Sequence, residues 1–212
     1  VVFTDSGNDP RILMRNDTTF YAMEVDIGTR TLSTFTWGEE YTLTISGDQD
    51  LGGGEEIGLY IKSGTFDTDN NGTEELDLTV TKETRVGDTT GSADTAVLDG
   101  DAGNMSFGSV IIKSDGKYIA TSATTLITSG AHSGTWGLQN GGTFDANGGT
   151  IKVTASQASV HLQGDTFNNI TVAMGSSSNA TKWRNNSAAT VVIEGNLLLE
   201  EGKFLRDGSG DG

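Results

Sequence analysis

Apolar residues in this chain alternate with polar ones, and the alternation is cut every few residues by glycine, asparagine or aspartate. Thr42-Leu43-Thr44-Ile45, Leu76-Asp77-Leu78-Thr79-Val80, Ile151-Lys152-Val153, Val160-His161-Leu162 and Ile170-Thr171-Val172 each put apolar side chains on one face of an extended segment. Between such runs stand Gly47-Asp48, Gly52-Gly53-Gly54, Asp99-Gly100-Asp101, Ser114-Asp115-Gly116, Asn140-Gly141-Gly142 and Asn147-Gly148-Gly149. These residue types accept positive φ and close tight turns. No segment of ten or more residues carries a 3.6 periodicity, so the expected fold class is all-β, with room for one short helical turn. The 30 glycines and the single proline, Pro10, agree with many short strands and turns.

The 212 residues suffice for one large all-β domain or two smaller ones. Their character changes near residue 90. Residues 1–86 hold Phe3, Phe20, Tyr21, Phe35, Trp37, Tyr41, Tyr60 and Phe66 on longer strands with varied loops, which predicts a β-sandwich or jelly-roll-like region. Residues 87–104, GDTTGSADTAVLDGDAGN, are small and acidic and read as a linker or long surface loop. From 105 to 206 the units shorten and resemble one another. Gly142-Thr143-Phe144-Asp145-Ala146-Asn147 precedes one strand, and Gly164-Asp165-Thr166-Phe167-Asn168-Asn169 leads into the next. A repeat of roughly 20 to 25 residues predicts a β-solenoid, in which each unit buries its apolar face against its neighbours. Residues 207–212, DGSGDG, read as a flexible tail.

A net charge of −16 repels phosphate backbones, and the densest basic spot is only Lys182 with Arg184, so nucleic acid is not an expected partner. No run of about 18 apolar residues is present, which removes a helical membrane span. The absence of cysteine removes disulfides, thiolate nucleophiles and zinc–thiolate sites.

The stretch SGTFDTDNNGTE is the strongest candidate for chemistry. Asp67, Asp69 and Asn71 supply oxygens at positions 1, 3 and 5 of a calcium-loop pattern, Gly72 makes the bend, Thr73 offers a carbonyl and Glu75 falls at position 9. Position 12 is Leu78, which has no carboxylate. An internal echo supplies the competing interpretation: Gly64-Thr65-Phe66-Asp67 matches Gly142-Thr143-Phe144-Asp145, and the second copy replaces Asp69 with Asn147. The pair then reads first as a strand-to-turn element and second as a calcium site.

Catalysis has little in the sequence to support it. His132 lies in a loop-like Ala-His-Ser-Gly, His161 alternates with Val160 and Leu162, and no nucleophile elbow, HExxH or phosphate-binding glycine loop occurs. The doublets Glu39-Glu40, Glu55-Glu56, Glu74-Glu75 and Glu200-Glu201 would point to opposite faces of a strand, a poor arrangement for glycoside hydrolysis. The expectation is a protein that is not an enzyme. Trp136 and Trp183 stand in polar settings where an indole could stack on a carbohydrate ring, or else cap the core or a subunit interface.

The runs GGTFDANGGTIKVTA, GDTFNNITVAMG and TVVIEGNLLLEEGKF resemble the Gly/Asn/Thr-rich coils of tailed-phage virion proteins and of bacterial surface adhesins. The resemblance covers about the C-terminal half. It implies a parallel β-helix or related stacked-β architecture in a fibre, spike or capsid-decorating protein at the virion surface or outside the cell. Such a protein would pair with itself, as a trimer, with other virion proteins and with host glycans. A bacterial adhesin or carbohydrate-binding module is the alternative, and a polysaccharide depolymerase a further one.

Overall fold

Strands far apart in sequence pair in parallel, and the pairings form three ladders that the chain visits in turn. The structure is a computed structural model that describes residues 1–4, 7–36, 40–50, 56–68, 76–88, 96–129, 136–155, 159–163, 166–184 and 191–206. The first ladder starts at Val2–Thr4 and passes through residues 24–26, 59–61, 84–86, 110–112 and 138–140. It continues through Ser159–Gln163 and Ala180–Arg184 to Lys203–Arg206. The second ladder runs from Arg11–Leu13 through residues 33–35 and 65–67 to Ala96–Asp99, Gly116–Ile119 and Thr143–Asp145. A separate pair, Thr166–Phe167 with Val192–Ile193, follows it. The third ladder joins Thr18–Phe20, Tyr41–Ile45, residues 76–80 and 105–107, Thr124–Ile127, Thr150–Val153, Asn169–Ala173 and Leu197–Glu201. Parallel neighbours need a long crossover connection. Here each crossover consists of the strands contributed to the other two ladders, and the described residues contain no helix.

Registration places like on like. One interior row reads Leu32, Phe66, Leu98, Tyr118 and Phe144, and the Phe144 and Phe167 rings then meet at 5.3 Å. Another reads Ile45, Val80, Phe107, Ile127, Val153 and Val172, every member buried. Burial of each such side chain contributes about 1.5–3 kcal/mol, so the rows hold one circuit of the chain to the next. Among the polar residues buried in such rows, Thr125 stands between Met105 and Ile151, and the buried Tyr118 hydroxyl meets its hydroxyl at 2.9 Å. Burial pushes the Tyr118 phenol well above its ordinary pKa.

Corners between the first and second ladders fall on glycine. Gly64 has a φ of 84°, and a β-carbon there would meet the Arg30 carbonyl at 2.8 Å. Gly116 sits so close to the Val86 carbonyl that a side chain would displace one strand from the next.

Two sequence expectations meet a different arrangement. The antiparallel pairing that a sandwich or jelly roll requires over residues 1–86 occurs, among the described residues, only between Gln49–Asp50 and the start of Glu56–Asp67. The long aromatic-bearing strands instead bend through a corner, so that Met23–Phe35 and Glu56–Asp67 each serve the first ladder and then the second. Residues 87–104, expected to be a linker or loop, contain Ala96–Asp99, which is paired on both sides. Residues 207–212, expected as a tail, lie outside the described residues.

Candidate functional site

Asp67, the first residue of the calcium pattern, ends its strand at a corner of the second ladder, in register with Ser33 on one side and Asp99 on the other. Asp145 occupies the same register two circuits beyond Asp99, with Ile119 between them. Asp99 and Asp145 do the same work. The Asp99 carboxylate accepts from the Asp101 backbone N–H at 3.4 Å, and Asp145 from that of Asn147 at 3.0 Å. In both, the residue two positions on has a left-handed backbone, with φ of 41° at Asp101 and 45° at Asn147. The Asn147 amide then donates to the Asp101 carbonyl at 3.4 Å, tying one corner to another.

Asp67-Thr68-Asp69 repeats that grammar, aspartate, any residue, aspartate or asparagine, at the corresponding corner. Thr68 is buried there, donating its hydroxyl to the Asp99 carbonyl at 3.0 Å and accepting at its own carbonyl from Thr34 at 2.7 Å. The remaining residues of the calcium pattern, Asp69, Asn71, Thr73 and Glu75, lie outside the described residues. Among the described residues no group of three or more His, Cys, Asp or Glu side chains gathers as a metal site would require. Asp67 and Asp145 thus hold the same register position in the second ladder. Asp99-Gly100-Asp101 is a third copy that the sequence comparison missed, because its strand carries leucine where the others carry phenylalanine.

The carbohydrate candidates are placed by backbone alone. Trp136 pairs with His161, and Trp183 lies between Leu162 and Arg206, so both belong to the first ladder, in adjacent rows. Their side chains and that of His161 fall outside the described residues, as does His132.

Charged side chains cluster on the first ladder at its N-terminal end. Lys62 donates to Glu24 at 2.9 Å, Arg85 holds Glu83 at 2.6 Å with both largely buried, and the Lys62 and Arg85 cations lie 5.2 and 5.8 Å from the centre of the Tyr60 ring. The hydrogen bond to Glu24 raises the Lys62 pKa, while burial, offset by Arg85, raises that of Tyr60. Every group in this cluster is matched by a neighbour, and its chemistry is that of a clamp.

A groove of about 360 Å³ lies on the second-ladder side of the C-terminal half. Lys117, Thr143, Asp145, Asn147, Thr166, Asn168 and Glu194 line it, with Phe144, Ala146 and Gly148. No local pattern announces these residues. They come together only because the register stacks Lys117 on Thr143 and Asp145 near Asn168.

Comparison of the chain with protein-family models, with curated protein sequences and with solved structures found no match.

Proposed function

We propose that the three ladders form a parallel β-helix and that the protein is a rigid, self-assembling surface element, most concretely a fibre, spike or capsid-decorating component of a tailed-phage virion. The observation that carries this reading is the continuity of the stack. Apolar rows run from circuit to circuit, as in Ile45, Val80, Phe107, Ile127, Val153 and Val172.

The C-terminal strands add a motive for assembly. Leu197 and Leu199 are 44% and 52% exposed, although they stand in register with Ile170 and Val172, which are 1% and 0% exposed. Apolar rows and strand edges of this kind are stabilised when another β-layer or subunit covers them. A homotrimer or docking on a shell supplies such cover, and the acidic surface keeps the assembled particle soluble.

Purified virions provide the test. The chain is expected there at a symmetric copy number, and in solution as a homo-oligomer by light scattering. A stable monomer that associates with no particle would contradict the reading. Glycan binding without particle association would favour a bacterial adhesin instead.

A further inference from the structure

We propose that the groove on the second ladder binds a short neutral saccharide. Its volume of about 360 Å³ falls within the range of small-ligand sites, about 300–1,000 Å³. The lining chemistry narrows the ligand. Asp145 and Glu194 accept hydrogen bonds only, so a ligand rich in hydroxyl donors suits them, while the Thr143 and Thr166 hydroxyls and the Asn147 and Asn168 amides can both donate and accept. Lys117 supplies a single cation against two carboxylates, and the chain as a whole carries −16, which disfavours phosphates and acidic polymers. Phe144, half-buried, and Ala146 add apolar surface of the kind that the C–H faces of a sugar ring cover.

The polar walls are also held in place before any ligand arrives. Asp145 is fixed by the Asn147 N–H, the Asn147 amide by the Asp101 carbonyl and the Asn168 amide by the Gly148 carbonyl. Side chains already immobilised lose little entropy on binding, which favours affinity from few contacts. The same groove would serve a virion protein and a cell-surface protein alike, so its failure and the failure of the virion reading are separable.

The test is titration of the ¹⁵N-labelled full chain with neutral tri- and tetrasaccharides of glucose, galactose and mannose. Saturable amide shifts are expected at residues 143–148, 166–168 and 194 with at least one of them. Thr166→Tyr, which fills the groove from an exposed position, should weaken binding roughly tenfold without lowering the melting temperature, and Glu194→Gln should weaken it less. The proposal is overturned if no neutral saccharide moves these amides at about 10 mM. It is equally overturned if the shifts map to Trp136 and Trp183 and ignore Thr166→Tyr, or if a uronic-acid oligosaccharide or a lysine-rich peptide occupies the groove where neutral sugars do not.

Discussion

Residues 1–88 and residues 96–206 build the same three ladders by different means. In the first region three strands, 13, 12 and 11 residues long, turn a corner without ending, with register shifts where they bend, and shorter strands of two to five residues stand beside them. Ion pairs and cation–π contacts brace them, and the hydrogen bonds from Lys62 to Glu24 and Ser63 to Asp26 span 38 and 37 residues of sequence. In the second region most strands run two to five residues, and hydrogen bonds between successive circuits span 20 to 27 residues, as from Asn168 to Gly148 and Asn196 to Asn169. Corner residues do the bracing there: Asp145, Asn147, Asn168 and Asn169 bond to backbone. A stacked fold therefore needs its interior rows kept in register, and either paired charges or turn-forming amides can keep them so.

The largest test of that contrast is to remove an interior aromatic from each region. Phe66→Ala and Phe167→Ala should each cost about 3–5 kcal/mol in urea unfolding, because both rings are fully buried in one continuous row. Two separate transitions, with only one moved by each change, would instead divide the chain into independent units.

Bracing by ion pairs should matter unequally. Glu83→Gln removes the carboxylate charge beside the largely buried Arg85 guanidinium and should cost about 3 kcal/mol. Glu200→Gln breaks only the exposed pair with Lys152 and should cost under about 1 kcal/mol.

The corner glycines offer a finer comparison. Gly64→Ala should destabilise by about 2–3 kcal/mol, since its positive φ is combined with the nearby Arg30 carbonyl. Gly148→Ala, also at positive φ but with open space around it, should cost about 1 kcal/mol.

Tyr118→Phe should cost about 1–2 kcal/mol by leaving the Thr125 hydroxyl without its buried partner. Because burial raises the Tyr118 pKa in the folded chain, its contribution is fully present below the unfolded value near pH 10 and is lost as pH rises above it. The variant should therefore show a shallower alkaline loss of stability.

The smallest effect concerns calcium. If Asp67 closes a turn as Asp99 and Asp145 do, millimolar calcium should leave the melting temperature within about 1 °C. A larger rise that disappears in Asp67→Ala would give the first region an ion that the second lacks.

Strand content was plain in the sequence because period-2 alternation is local, and Leu76–Val80, Ile151–Val153 and Ile170–Val172 all lie in strands. Pairing direction was not plain. Alternation in Thr42-Leu43-Thr44-Ile45 is the same whether the neighbouring strand runs parallel or antiparallel, so long aromatic strands read as a sandwich. The echo of Phe66-Asp67 in Phe144-Asp145 carried the missing information, since residues in one column of a stack share a local geometry. Substitution of Leu98 for phenylalanine hid the intermediate copy. The groove was illegible for a related reason: Lys117, Thr143 and Asn168 are neighbours only through register, which no single strand specifies.

Interstrand nuclear Overhauser contacts test the continuous ladders most directly. The account predicts an unbroken parallel chain of contacts from Thr65 to Val97 to Lys117 to Thr143 in the second ladder, and from Leu43 to Leu78 to Met105 in the third. Close Hα–Hα contacts joining Met23–Phe35, Glu56–Asp67 and Leu76–Val86 as antiparallel neighbours would contradict it.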